Sequence, residues 1–283
     1  MTKLKMKKKL TSFDLKIIAL ISMFCDHLAA VFLSNLINAS YNLPETVLNS
    51  ASITDKILVW VSLHQEGMWL FSDILRLVGR LAFPIYCFLL IQGFLHTKNL
   101  KKYIGRLALF ALISEIPFDL AFSDFVFERY YNNVFITLLI GILVLCAVST
   151  VERFCKEQRH KGRNKYLMLA VYLIGIMICL RVSAFIVDDI FYSDYGSSGI
   201  IAILILYFLR KRATLSMVLA VITISALNLA PFALAGLLAA VLINFYNGEK
   251  GRDLNKYVFY LFYPTHLLLL VGLSIIFGVY HFA

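Results

Sequence analysis

Long apolar stretches divided by short basic segments constrain this chain more than any other feature. Stretches of roughly 17 to 25 mostly apolar residues are long enough to cross a bilayer as helices. They fall near 14–37, 80–97, 104–124, 132–150, 166–187, 197–209, 213–230, 231–246 and 256–280, with the sixth and eighth shorter than the rest. Hydrophobic residues make up 60% of the chain, charged residues 16%, and the mean hydropathy is +0.80, more than a soluble domain can hide from water. The expected fold is therefore all-α integral membrane: a polytopic bundle of about nine to ten transmembrane helices forming one domain over residues 1–283. Residues 38–78 read as an extracytoplasmic loop. Within it 54–76, carrying Trp60, His64, Glu66, Trp69 and Asp73, is too polar to span and reads as an interfacial or re-entrant helix.

Orientation follows from the basic residues, because Lys and Arg accumulate in short cytoplasmic loops. With the 1–13 tail in the cytoplasm, Lys3 to Lys9, Lys98 to Arg106, Arg153 to Lys165, Arg210 to Arg212 and Lys250 to Lys256 all fall on the cytoplasmic side. Together with Lys16 they hold 22 of the 27 Lys and Arg residues, and Lys56, Arg76, Arg80, Arg129 and Arg181 remain for the other half. Topology thus accounts for the net charge of +10 without a nucleic-acid partner, although a basic inner surface also suits anionic lipid or cofactor phosphates. The N-terminal lysines followed by an apolar run resemble a signal peptide. Asp26 and His27 interrupt that run, however, and the segment reads as a retained first helix. The five cysteines have no paired metal-ligand spacing and read as small buried hydrophobes, so no metal is expected.

Ionisable residues inside the spans carry the functional signal, since a charge in hydrocarbon costs at least a few kcal/mol. Lys16 and His27 stand eleven residues apart, close to three turns, which puts them on one face about 16 Å apart along the axis. Histidine suits proton transfer near neutral pH, and Asp26 either adds to its electrostatics or bonds another helix. Glu115 and Asp119, like Asn133 and Thr137, are spaced i, i+4 and form one polar stripe per helix. Arg80, Arg181 and Asp194 lie at similar outer depth, where mutual ion pairing is the plainer reading. On the inner side His96, Lys98, Lys101, Lys102 and Arg106 surround one turn. Positive-inside charge explains the lysines, whereas Arg106 at a helix start is placed to clamp a phosphate. His266 sits in the last span beside Pro264.

Such a column of polar groups suits a conducting pathway or a membrane enzyme. A transporter would show internal repeats, and none is evident. An assembly factor without catalytic activity needs fewer buried ionisable groups.

These residues resemble the TraX family of conjugal-transfer membrane proteins. The resemblance runs from Phe13-Asp14-Leu15-Lys16 to Asp26-His27, then Gly79 to Pro84, Gly93-Phe94, His96-Thr97, Tyr103, Arg106-Leu107, Ser114 to Asp119, Asn133, Thr137, Asp194-Tyr195-Gly196, Gly199 and Tyr263-Pro264-Thr265-His266. More distantly, Lys16, Ala19 and His27 are similar in spacing to the basic residue, alanine and histidine of the wider transmembrane acyltransferases. Those proteins usually carry Arg where Lys16 stands, and their acid before the first helix is offset by one position from Asp14.

The family resemblance implies a multi-pass enzyme of the bacterial cytoplasmic membrane. It would transfer acetyl from cytoplasmic acetyl-CoA, without a metal, to a peptide N-terminus, an amino sugar or an envelope glycan. It implies a catalytic group of His27, Asp26 and Glu115, with His27 as general base or acyl carrier. It also implies acetyl-CoA contacts from Lys16, Arg106, Lys102 and His96, and acceptor contacts from Arg80, Asp119, Asn133, Thr137, Asp194 and His266. The oligomeric state is left open.

Overall fold

The computed structural model describes residues 9–41, 43–48, 50–123, 125–252 and 255–280, so Lys3, Lys5, Lys7 and Lys8 of the basic tail lie outside it. Among the described residues there is no strand, only two isolated bridges, Leu10 to Tyr246 and Asn132 to Ser193. Five helices are long and apolar enough to cross a membrane: Ser12–Ala39, Gln65–His96, Val134–His160, Lys165–Ile190 and Lys256–Ile276. The expected nine to ten spans are not reached on that measure. Gly196–Phe208 has only 13 residues, about 20 Å of helix against a hydrocarbon core of about 30 Å. Pro231 opens a 3₁₀ turn that leaves an α-helix of only 7 residues, Leu238–Asn244. Leu100–Phe122 is long enough at 23 residues, but Lys101, Lys102, Arg106, Glu115 and Asp119 lie within it.

The segment expected as one interfacial or re-entrant helix over 54–76 is two helices, Ile53–Leu63 and Gln65–Gly79, broken at His64. The second runs nearly directly into Ala82–His96. Its exposed Leu70, Phe71, Ile74, Leu77 and Val78 explain why the polar residues between them understated its apolar character.

The chain divides into two compact units. The first comprises Met1–Tyr86, Ile113–Glu128 and Phe232–Ala283. There the Ser12–His27 stretch packs on Gln65–Gly79 and on Lys256–Ile276. Its start is a capping box: the Thr11 hydroxyl accepts from the Asp14 N–H while the Asp14 carboxylate accepts from the Thr11 N–H at 2.8 Å. Asp14, which the resemblance sets against an acid of the acyltransferases, therefore holds a helix end. Further along, Leu36 and Ile37 pack with Leu58, Val61 and Val279. Trp69 Nε1 donates to the Tyr41 hydroxyl at 2.9 Å, and Gln65 Nε2 to the Ser40 hydroxyl at 3.3 Å, tying the end of the first helix to the start of Gln65–Gly79.

The second unit comprises Cys87–Leu112 and Arg129–Pro231. Val134–His160 packs on Lys165–Ala184 and Gly196–Phe208, and the latter on Ala213–Leu227. Lys165–Ile190 has only 11% of its apolar window buried, the pattern of a helix whose partner is lipid. The five cysteines are free, Cys87 and Cys155 buried.

Two glycines in this unit separate a rigid contact from a yielding one. A β-carbon at Gly93 would stand 2.7 Å from the Tyr103 hydroxyl and 2.8–2.9 Å from its ring, whereas one at Gly141 would meet chiefly the terminal methyl of Ile203. Gly93→Ala is expected to cost about 1–3 kcal/mol through overpacking. Gly141→Ala is expected to be neutral or stabilising, because Ile203 can turn and Ala favours helix by about 1 kcal/mol. Melting temperatures in detergent check the contrast.

Candidate functional site

His27 ends the regular α-helical part of the first helix, and the next six residues, Leu28–Leu33, form a π-helical turn. Such widened turns are found often at functional sites, because they re-aim side chains without breaking the helix. Opposite stands His266 on Lys256–Ile276, two residues beyond Pro264. Pro264 has no N–H to give to the helix ladder. In the turn before it, Thr265 Oγ1 donates to the Leu261 carbonyl at 2.8 Å, and His266 Nδ1 lies 2.7 Å from the Phe262 carbonyl. His27 Nδ1 is 2.7 Å from His266 Nε2.

Aromatic rings enclose the pair. Phe122 and Tyr263 meet His27 edge-on with centroids at 5.3 and 5.8 Å, and Phe262 lies flat against His266 at 4.8 Å. His266 is only 5% exposed, while His27 is half-buried.

Asp26, the neighbour of His27, turns to another helix. Its carboxylate takes a 2.8 Å ion pair from Arg76 on Gln65–Gly79, and Arg80 adds a second positive charge nearby. Gly79 lies directly against the Asp26 side chain, so that any β-carbon there would collide with it. Ser22 reinforces the seat, its hydroxyl donating to the carbonyl of Val78 at 2.5 Å. In the sequence Arg76 counts only as a charge of the outer half, because it closes the polar segment 54–76. A signal was present: Asp26 needs a cation within reach, and Arg76 and Arg80 recur at i, i+4.

In the same unit, Asp119 is fully buried. Its Oδ2 accepts from the Glu128 N–H at 2.9 Å, holding the loop that follows the helix, while Oδ1 has no hydrogen-bond partner. Glu115 lies half-buried one turn earlier. Lys16 places its Nζ 5.0 Å from the Phe259 ring centroid.

The second unit holds the other sequence candidates. Arg106 has a buried Nε without an acceptor and spreads its guanidinium over Tyr103, 5.6 Å from the ring centroid. His96 bonds the Gln92 carbonyl at 2.8 Å, and Lys102 is exposed. Asn133 and Thr137 are fully buried. Asn133 caps Val134–His160 by accepting from the Phe135 N–H at 2.9 Å and donates to the Ala111 carbonyl at 2.9 Å. Thr137 donates to Ser193 at 3.0 Å. Asn132, which the sequence did not single out, donates to the carbonyls of Arg129 and Phe191. Asp194 accepts from the Tyr131 hydroxyl at 3.1 Å. These bonds tie the 129–137 region to the 191–194 turn. Among the described residues, no group of three or more His, Cys, Asp or Glu side chains is placed to hold a metal ion.

Apolar helices around a hydrogen-bonded histidine pair and a neighbouring ion pair define a helical membrane protein with a built polar site. The chain belongs to the TraX protein family, whose model matches residues 12–274. It is similar to the probable fimbrial assembly protein FimC, serogroup H1, of Dichelobacter nodosus, 31% identical over 287 residues that cover 92% of this chain and 94% of that protein. No solved structure matches it significantly.

Arg76→Met should remove the cation that touches Asp26, leaving only the more distant charge of Arg80, and cost about 1–3 kcal/mol. Adding Asp26→Asn should recover most of that loss, because no uncompensated charge then remains. Thermal unfolding of both single variants and the double variant in detergent measures the coupling, and additive losses would show that the pair contributes nothing.

Proposed function

We propose that this protein is a membrane-embedded acetyltransferase, with acetyl-CoA as donor and the N-terminal amine of a surface-fibre subunit as acceptor. The observation that carries this reading is the His27 and His266 pair: a half-buried imidazole just before a widened helical turn, braced by a second imidazole inside an aromatic enclosure. Membership of the TraX family and the relative's name as a fimbrial assembly protein support the acceptor class.

Acetyl-CoA, when bound, supplies an acetyl thioester. The unsatisfied Arg106 Nε fits an anionic oxygen, since a buried donor without an acceptor has a partner to gain. Lys16 offers a second cation in its own unit. His27 acts as general base: it takes the proton of the attacking amine as the new bond to the acetyl carbon forms. The bond from that carbon to sulfur breaks with its electron pair going to sulfur, and His27 returns the proton there. Glu115 and Asp119, a turn apart, provide negative charge suited to hold an ammonium group before it reacts. The Asp26 and Arg76 pair seats the helix that carries His27.

A second reading, assembly without catalysis, is favoured by the relative's name alone. One experiment separates the two: purified protein in detergent, acetyl-CoA, and a synthetic peptide with a free N-terminus, read by mass spectrometry. Wild type should acetylate the peptide. His27→Ala should lose at least about 10²-fold in rate, and Arg106→Ala about tenfold or more in acetyl-CoA affinity, both while still melting cooperatively. Lys161→Ala, on an exposed helix end paired with Glu157, should behave as wild type. A well-folded wild type that neither binds nor consumes acetyl-CoA would establish the assembly reading instead.

A further inference from the structure

We infer that His266 is a positioning residue that sets the tautomer of His27, so that the nitrogen available for proton transfer is Nε2. The inference rests on the reading of His27 as the general base. It gives His266 a different role from the acceptor contact expected of it.

The two ring planes differ by only 6° and their centroids stand 4.9 Å apart, yet the nearest nitrogens are 2.7 Å apart. Parallel rings lying face on face cannot bring ring atoms much closer than about 3.5 Å. The two imidazoles therefore lie edge to edge in nearly one plane, joined by an N–H···N hydrogen bond at the short end of the usual range.

The direction of that bond follows from the next one. His266 Nδ1 is 2.7 Å from the Phe262 carbonyl, and a carbonyl oxygen only accepts, so His266 Nδ1 carries the hydrogen. A neutral imidazole carries one such hydrogen, which leaves His266 Nε2 as a lone pair. That lone pair must accept, so His27 Nδ1 donates and His27 Nε2 becomes the bare nitrogen. Among the described residues, no hydrogen bond reaches His27 Nε2.

The anchor is a backbone carbonyl in the turn carrying Pro264, so the order of protons is written into the helix. Phe262 against one face of His266 keeps its ring from turning. When His27 Nε2 takes up a proton, the charge on its ring strengthens the bond from Nδ1–H to His266. The base is thus oriented and stabilised in its charged form by a third group, a common arrangement for activated bases.

The test uses the full-length protein in nanodiscs, labelled with ¹⁵N-histidine, with the His27 ring signals identified by their absence in His27→Gln. Wild type should show His27 protonated at Nδ1 and bare at Nε2. His266→Phe, which keeps a ring but removes the acceptor, should shift His27 toward the Nε2-protonated form. The same variant should lower kcat for acetyl transfer by about 10²-fold with KM little changed. His266→Gln, whose amide oxygen restores an acceptor near the Nε2 position, should recover the tautomer and most of kcat. A wild-type His27 protonated at Nε2, or a tautomer unmoved by His266→Phe, overturns the inference even if transfer is observed. The expected tautomers in a protein that transfers no acetyl group would uphold the pairing and overturn the acetyltransferase reading. Should His266→Phe fail to fold, the wild-type spectrum and His266→Gln alone decide.

Discussion

Polar side chains enclosed by apolar helices have no water to turn to, and each must find its partner inside the protein or go without. In the first unit Asp26 finds a cation. Its carboxylate is met by Arg76 at 2.8 Å, and the helix bearing Arg76 can come that close only because Gly79 presents no side chain to Asp26. Removing one partner from such a pair costs more than the pair itself contributes, because the remaining charge is stranded. The ion pair and the hydroxyl of Ser22 therefore fix the rotation of the first helix about its axis. With that rotation set, the adjacent residue His27 faces Lys256–Ile276.

Two departures from ideal helical geometry lie beside the two histidines. The π-helical turn Leu28–Leu33 follows His27 directly, and Pro264 precedes His266 by two residues. Thr265 and His266 bond the carbonyls of the preceding turn, so that the ring of His266 is held by its own helix.

The polar residues of the second unit answer the same requirement structurally. Asn133 and Thr137 were legible as a stripe at i, i+4, but spacing cannot distinguish a residue that waits for a substrate from one that ties its own chain together. Their bonds to Ala111 and Ser193 join segments far apart in sequence, and the bond from the Phe135 N–H caps a helix. Arg106 differs in keeping a buried nitrogen without an acceptor, the property that the positive-inside pattern hid among its lysine neighbours. In Gln65–Gly79 charged residues interrupt an apolar face that shows only when the segment is wound as a helix.

By itself the sequence determined that the chain is helical and too apolar to fold in water. It also determined that Lys16 and His27 share one face of the first helix. These are consequences of composition and of the 3.6-residue period, which are local. Only the tertiary structure decided which helices meet. It paired Asp26 with Arg76 and His27 with His266, and turned Asp119 and Asn133 to holding backbone. The order of protons along the histidine pair likewise depends on a carbonyl 2.7 Å away. Such pairings depend on helix rotation and on close approach at Gly79, which no spacing along one chain records.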